Sequence, residues 1–178
     1  ESKRDIIAVA PLAHTLVECD ALIERPTNAR RAFAWPTVSI TAVQQMVGRC
    51  RSLGSLTNLS SRTTRPAAGR TDDLGASLFA AAPDQVALLV LLAQITGAGS
   101  PTSVSLQPST DGTERIDIRL SGVTARVEVT WTDASAPSLD VQAAGVDGVL
   151  RIETDPLTRL EYNGVPVPLP RSTPMDPQ

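Results

Sequence analysis

Few side chains in this sequence have the type and spacing that chemistry requires, and the histidine is the first to consider. His14 is the only histidine, and its ring can exchange a proton near neutral pH. It lies directly ahead of Thr15, which stands three residues before Glu18 as in a capping box. A surface or capping position is therefore the simpler interpretation, and a position facing a cleft is the alternative. No Cys, His or carboxylate cluster accompanies His14, which argues against a metal site.

Two aspartates, Asp73 and Asp84, are the carboxylates whose positions stand out. Each lies at the start of a predicted helix, where a carboxylate caps free backbone N–H groups and complements the helix dipole. We therefore interpret both as helix caps or first-turn carboxylates rather than as catalytic acids.

The cysteines and tryptophans favour structural roles. Cys19 and Cys50 fall on the apolar stripes of predicted helices and lack metal-binding spacing, which suits reduced core thiols in a cytosolic protein. A disulfide between them is the alternative. Trp35 and Trp131 occupy apolar strand positions, which are typical of core residues, although either could line a ligand pocket.

Composition excludes several classes of function. The 178 residues carry a net charge of -3 without a block of like charge, which argues against a nucleic-acid partner. The longest apolar stretch, residues 86–93, is far shorter than the roughly 20 residues that cross a bilayer. No signal peptide is visible, so we expect a cytoplasmic protein. The sequence opens at Glu1 without a methionine, so we expect that an upstream segment has been omitted.

Helical and strand-like segments alternate in the first half. Pro11 and Pro36 end short apolar runs that predict buried strands, and Pro83 must break or start a helix. Gly54 is expected to cap a helix in the left-handed conformation. The predicted elements are strands at 6–9, 32–35 and 56–64, a helix after Thr15, an amphipathic helix with Ile40, Val43, Val47 and Cys50 inward, a loop at 65–71, and a buried apolar helix from Asp84 to Ile95.

From Thr102 the apolar period changes from 3.6 to 2, which predicts strands. Ile116, Ile118, Val127 and Val129 are expected to share one face. Hairpin turns are predicted at Ser121-Gly122, Asp147-Gly148 and Asn163-Gly164, and an edge or tail from Pro166. Because helical segments come first and strands follow, the sequence predicts an α+β fold with one open, mainly antiparallel sheet and helices packed on one face. We expect a single domain over residues 1–170 and a tail at 171–178.

Residues 6–16 read Ile-Ile-Ala-Val-Ala-Pro-Leu-Ala-His-Thr-Leu. They resemble the crossover segment of the Gfo/Idh/MocA oxidoreductase family (glucose–fructose oxidoreductase, inositol dehydrogenase and relatives). There an NAD(P)-binding Rossmann half leads into a Glu-Lys-Pro-Leu-Ala motif. The segment Pro11-Leu-Ala13 matches that motif, while Val9 and Ala10 stand where the glutamate and the catalytic lysine would be. Residues 122–131, 145–150 and 160–167 are similar to later strands of the same family, whose C-terminal half is an open antiparallel sheet.

The family's second signature is Asp-x-Gly-x-His, which opens a long helix. One alignment places it on Asp73 to Ser77, with Ser77 in the histidine position. The other starts at Ala80 and puts Asp84 there, and we prefer it because the apolar helix follows directly. In either alignment the histidine is absent, and neither serine nor an ordinary aspartate exchanges a proton with a sugar hydroxyl as readily as histidine.

The resemblance implies an oxidoreductase-like domain without its Rossmann half and catalytic Lys/His. We expect a non-catalytic dimerisation, scaffold or ligand-sensing module, with no oxidoreductase activity of its own. The alternative is the substrate-binding half of an NAD(P)-dependent sugar or polyol oxidoreductase, whose cofactor domain lies upstream. No Gly-x-Gly-x-x-Gly stretch occurs, so we expect no cofactor in this chain. No catalytic or metal-binding residue is assigned; a vestigial pocket would comprise Pro11, His14, Trp35, Asp73, Ser77 and Asp84.

A homodimer is the expected assembly, because members of this family commonly stack this sheet. The polar face of the predicted hairpin mixes both signs of charge, and such charges can pair across a twofold axis. A solvated outer face is the alternative. The residues concerned are Arg115, Asp117, Arg119, Thr124, Arg126, Glu128 and Thr130.

Overall fold

A computed structural model of the protein describes residues 6–9, 31–34, 40–70, 72–108, 112–133, 138–154 and 157–169. The helices are α1 (Ile40–Arg49), α2 (Leu74–Ala81) and α3 (Pro83–Ile95), with 3-10 helices at Cys50–Leu53 and Ala67–Gly69. The strands are β1 (Ile6–Val9), β2 (Arg31–Ala34), β3 (Leu56–Pro66), β4 (Ser103–Gln107), β5 (Thr113–Arg119), β6 (Thr124–Thr132), β7 (Leu139–Gly145), β8 (Gly148–Glu153), β9 (Arg159–Tyr162) and β10 (Val165–Val167).

Eight of these strands form one sheet in the order β10-β9-β8-β7-β3-β6-β5-β4. Neighbouring strands in it are antiparallel except β3 and β6, which run parallel with Leu59 opposite Ala125. Strands β1 and β2 form a separate parallel pair. The helices contact β3, β5, β6, β8 and β9, so the predicted α+β fold with an open, mainly antiparallel sheet is confirmed.

The core lies between the helices and one face of the sheet. Ile116, Ile118, Val127 and Val129 are buried there as predicted, because successive side chains of a strand point to opposite faces. They belong to one cluster with leucines of α3 and residues of α1. The opposite face, which we call the open face, carries the charged residues of the same strands.

The buried stripe of α1 differs from the predicted one. Ala42 and Met46 are fully buried and continue through Cys50, whereas Val43 and Val47 are only partly buried. Alanine is small enough to lie closest to the sheet, so the helix is rotated toward it and the valines flank the contact.

Strand β4 also departs from the expectation of an apolar inner face. Val104 and Leu106 pair with Ile118 and Ile116 and so share their side of the sheet, but they remain 60% and 45% exposed. The reason is that β4 is the last strand of the sheet, with a neighbour on one side only.

Two of the three predicted hairpin turns are confirmed. The Leu120 N–H donates to the Val123 carbonyl across Ser121-Gly122, and Asn163 and Gly164 both have positive φ, as a tight two-residue turn requires. The third is shifted by one residue. Gly148 pairs with Gly145, so the turn consists of Val146 and Asp147.

The ends of other elements also differ in detail. Gly54 has φ 66° but ψ -148°, so the positive φ is confirmed and the left-handed helical conformation is not. The predicted loop at 65–71 begins later, because β3 runs to Pro66 and a 3-10 helix follows. Pro166 lies in the edge strand β10. The division at residue 170 and the helix after Thr15 fall outside the described residues, as does Cys19, whereas Cys50 is a buried free thiol.

Candidate functional site

Polar side chains meet at the edge of the sheet where the parallel strands β3 and β6 both end. Arg65 near the end of β3 is the register partner of Trp131 near the end of β6. Glu114, near the start of β5, pairs with Val129 beside them. The carboxyl ends of parallel strands are a frequent place for ligand sites in open sheets. We call this region the strand-end cluster: Arg65, Arg70, Asp84, Glu114 and Trp131.

The break between α2 and α3 supplies the helical wall of this cluster. Pro83 cannot continue α2 but suits the first position of a helix, where its missing N–H costs nothing. Helix α2 therefore ends at Ala81, whose carbonyl oxygen needs a partner. Arg65 provides it, because its Nε and Nη2 both donate to that oxygen at 3.0 and 2.8 Å. The guanidinium thus lies at the negative end of the α2 dipole.

Asp84 lies in the first turn of α3 and is 7% exposed. Burial lowers the pKa of the Arg65 guanidinium, and the Asp84 carboxylate nearby raises it by a smaller amount. A buried acid and a half-buried base therefore lie close together at the helix break.

Glu114 is one of three members of the cluster that the sequence analysis missed, together with Arg65 and Arg70. It is 2% exposed, and its two carboxylate oxygens accept hydrogen bonds from Trp131 Nε1 at 2.8 Å and Arg70 Nε at 3.0 Å. The signal was the strand period, because Glu114 precedes Ile116 by two residues and must share its inward face. A buried carboxylate needs such partners, since isolated burial of a charge is very costly.

The strand-end cluster consists of two arginines, two carboxylates and an indole. It contains no histidine or lysine. The only histidine and the only lysine of the sequence, His14 and Lys3, lie outside the described residues. Within the described residues, no three His, Cys, Asp or Glu side chains are arranged to bind a metal ion.

The predicted pocket residues are only partly described. Pro11, His14 and Trp35 lie outside the described residues. Asp73 is exposed and directly precedes α2, and its carbonyl accepts the Ser77 N–H at 2.9 Å. Ser77 is fully buried within α2, whereas Asp84 lies across the break in α3. Asp84 thus stands at the start of the long apolar helix, where the preferred alignment locates the histidine position. That these residues form a vestigial pocket stays a prediction.

The N-termini of α2 and α3 do not fit the pyrophosphate of a dinucleotide. Such a site needs a glycine-rich turn whose backbone N–H groups face the phosphates. Helix α2 instead begins after Asp72 and Asp73, and α3 carries Asp84 in its first turn. These carboxylates would repel a phosphate, so no step through NAD(P) is assigned to these residues.

The charges of the open face pair with one another within the chain. Glu128 accepts from Arg62 at 2.9 Å and from Arg115 at 3.1 Å, and Asp117 accepts from Arg126 at 2.9 Å. Opposite charges on neighbouring strands stabilise such a face modestly. None of the described helices is long and apolar enough to cross a membrane.

Comparison with known proteins gives matches among solved structures alone. No family model and no curated protein matches the sequence. Levoglucosan dehydrogenase, solved with NADH, superimposes with a TM-score of 0.65 at 15% identity, over 89% of this chain and 50% of that one. UDP-N-acetylglucosamine 3-dehydrogenase GnnA from Acidithiobacillus ferrooxidans gives 0.64 at 17% identity, over 92% and 55%. The dehydrogenase MviM from Clostridium difficile gives 0.58 at 10% identity, over 92% and 54%.

The chain therefore spans about half the length of each of these proteins. Identities this low establish a common fold and leave activity and substrate open. The matches show that this chain has a fold found in about half of each of these dehydrogenase chains, which is consistent with the predicted resemblance to the C-terminal half of Gfo/Idh/MocA-type oxidoreductases.

Proposed function

We propose that this chain is a non-catalytic oxidoreductase-like domain that serves as a dimerisation, scaffold or ligand-sensing module. The observation that carries the proposal is the helix break. At the histidine position of the preferred alignment stands Asp84, buried beside an arginine that is tied to the end of α2. Removing a hydride from an alcohol requires a group that takes up the hydroxyl proton, and histidine does this best near neutral pH.

The lysine position of the resemblance supports the same proposal. Ala10 stands there, and Lys3 is the only lysine of the sequence. Both members of the catalytic pair are therefore absent from the positions that the resemblance implies.

The proposal is tested by a search for NAD(P)H turnover. The purified chain is assayed with a panel of sugars and polyols and with both nicotinamide cofactors, and we expect no turnover above the buffer rate. Turnover that falls in Asp84→Asn, but not in the matched control Asp147→Asn in the exposed turn between β7 and β8, would refute the non-catalytic assignment.

Self-association through the open face is the module function that we propose. Its support is the pairing of Glu128 and Asp117 with arginines of the same face, because a twofold contact would bury these carboxylates as ion pairs rather than as isolated charges. Arg119 and Arg126 lie at the rim near the turn between β5 and β6. Reversing both to Glu is expected to shift a dimer toward monomer in light scattering at micromolar concentration.

The matched control is the double reversal of Arg49 and Arg51, which are exposed at the end of α1 and make the same change in charge. Far-UV circular dichroism shows whether each variant remains folded. A monomer mass for the unmodified chain would exclude the dimer, as would an equal effect of the control.

A second candidate is the substrate-binding half of an NAD(P)-dependent sugar or polyol oxidoreductase. It is favoured by the half-length coverage of dehydrogenases, one of which was solved with NADH and L-sorbose. Calorimetric titration of the full-length protein with NADH and NADPH separates the two candidates. Tight binding of either cofactor supports this second candidate, and its absence supports the first.

A further inference from the structure

The open face contains a groove of about 670 Å³ whose lining includes Arg119 and Arg126 of the proposed contact between copies. It runs along β3 and β6 and is bounded by the turn between β5 and β6 on one side and by β7 on the other. Its size is in the range of sites for small molecules. It lies opposite the helices, and so it is separate from the strand-end cluster.

The groove is basic although the chain is acidic. Its charged lining residues are three arginines and one glutamate, Arg62, Arg119, Arg126 and Glu128. The lining therefore carries two net positive charges in a protein whose net charge is -3. This concentration of positive charge favours an anionic ligand.

The arginines of the groove retain N–H donors that make no hydrogen bond within the described residues. Arg62 donates to Glu128 and Arg126 to Asp117 through Nε alone, so their terminal nitrogens have no hydrogen-bond partner among the described residues. The Arg119 guanidinium makes no hydrogen bond or ion pair with any described residue. Guanidinium groups with free terminal nitrogens match the oxygens of a phosphoryl group or a carboxylate.

Neutral polar side chains lie beside these arginines. Ser60 on β3 is the register partner of Arg126 on β6 and of Gln142 on β7, so the three form one row across the groove. Asn58 donates to the Ser60 hydroxyl at 3.5 Å from the next position along that face. Amide and hydroxyl groups of this kind recognise the hydroxyls of a polyol.

We propose that this groove binds a small phosphorylated polyol, with the arginines holding the phosphoryl group and the Asn58–Ser60–Gln142 side holding its hydroxyls. The site lies within one chain and goes beyond the proposed function. Its ligand would make the open face responsive to metabolite concentration, because ligand and second copy would contact the same residues.

The probe is glucose 6-phosphate, titrated into the unmodified chain in a calorimeter at fixed ionic strength. Glucose and inorganic phosphate are the comparison ligands. We expect one binding event per chain, weaker binding of inorganic phosphate and none of glucose. Arg119→Gln is expected to weaken the binding of glucose 6-phosphate at least about tenfold, since it removes a charge-assisted contact without disturbing an existing one.

Arg51→Gln is the matched control, because it removes an exposed arginine at the end of α1. No heat of binding with glucose 6-phosphate overturns the proposal, and so does equal weakening by Arg119→Gln and Arg51→Gln. Equal affinity for glucose and glucose 6-phosphate would also overturn it. Light scattering is recorded on the same samples, and the titration is made at a chain concentration at which it gives a monomer mass. A second copy then cannot cover the groove, so failure of the site and failure of the dimer are distinguishable.

Discussion

The hydrogen bonds of Glu114 allow a quantitative prediction about what stabilises the strand ends. The carboxylate side chain is 3% exposed, whereas its ion-pair partner Arg70 is 45% exposed. An ion pair with so exposed a partner is screened by water and contributes about 0–1 kcal/mol. The bond from Trp131 Nε1 at 2.8 Å is directed at the same buried charge from a partly buried ring, and a hydrogen bond to a charged group contributes about 1.5–3 kcal/mol.

We therefore expect the indole, rather than the arginine, to be the energetically dominant partner. Trp131→Phe keeps the aromatic ring and removes the N–H, and it should lower the free energy of unfolding by about 1.5–3 kcal/mol. Arg70→Gln should lower it by less than about 1 kcal/mol. The difference arises because removing the indole donor leaves a buried oxygen unpaired, while water can replace the exposed guanidinium.

The assay is urea unfolding followed by far-UV circular dichroism, which does not depend on the substituted tryptophan. Combining each variant with Glu114→Gln in a double-mutant cycle isolates the two pair energies. The coupling to Trp131 should exceed the coupling to Arg70. A larger loss of stability in Arg70→Gln than in Trp131→Phe would refute this account of the cluster.

Two further predictions concern the sheet. Val127→Asp would bury an unpaired charge in the core and should lower the free energy of unfolding by about 3 kcal/mol or more. The control Thr124→Asp, at an exposed position of the same strand, should change it by less than about 0.5 kcal/mol. Equal thermal unfolding of the two variants would mean that the buried face is wrongly assigned. A Cβ on Gly145 would overlap the backbone of Leu53, so Gly145→Ala should destabilise the chain by about 2 kcal/mol or more. A Cβ on Gly122 meets no atom within 4 Å, so Gly122→Ala should be close to neutral in the same urea experiment. A tolerated Gly145→Ala would contradict the close approach.

The strands and their inward faces could be predicted because both follow from a local rule. A strand with one buried face alternates apolar and polar residues whatever it pairs with, so Ile116, Ile118, Val127 and Val129 were assigned correctly. The turn at Asn163-Gly164 is equally local, since positive φ at both positions favours these residue types. Pro83 separated the two helices because no helix interior tolerates its ring.

Depth of burial could not be predicted in the same way. Val104 and Leu106 follow the alternation but remain exposed, because only their position at the sheet edge decides whether anything covers them. The shifted stripe of α1 has the same origin. Ala42 and Met46 are buried because of the orientation of α1 against the sheet. The helical period of the sequence does not specify that orientation.

The sequence by itself determined the α+β class, the order of the described elements and the faces of most strands, because each depends on neighbours in the chain. Only the tertiary structure decided that β3 inserts between β7 and β6, that Arg65 reaches Ala81, and that Glu114 accepts from Arg70 and Trp131. The three side-chain contacts join residues 16, 44 and 17 positions apart. They form because the complete fold buries most of its apolar surface and gives the enclosed carboxylates partners, a condition that no single segment can meet.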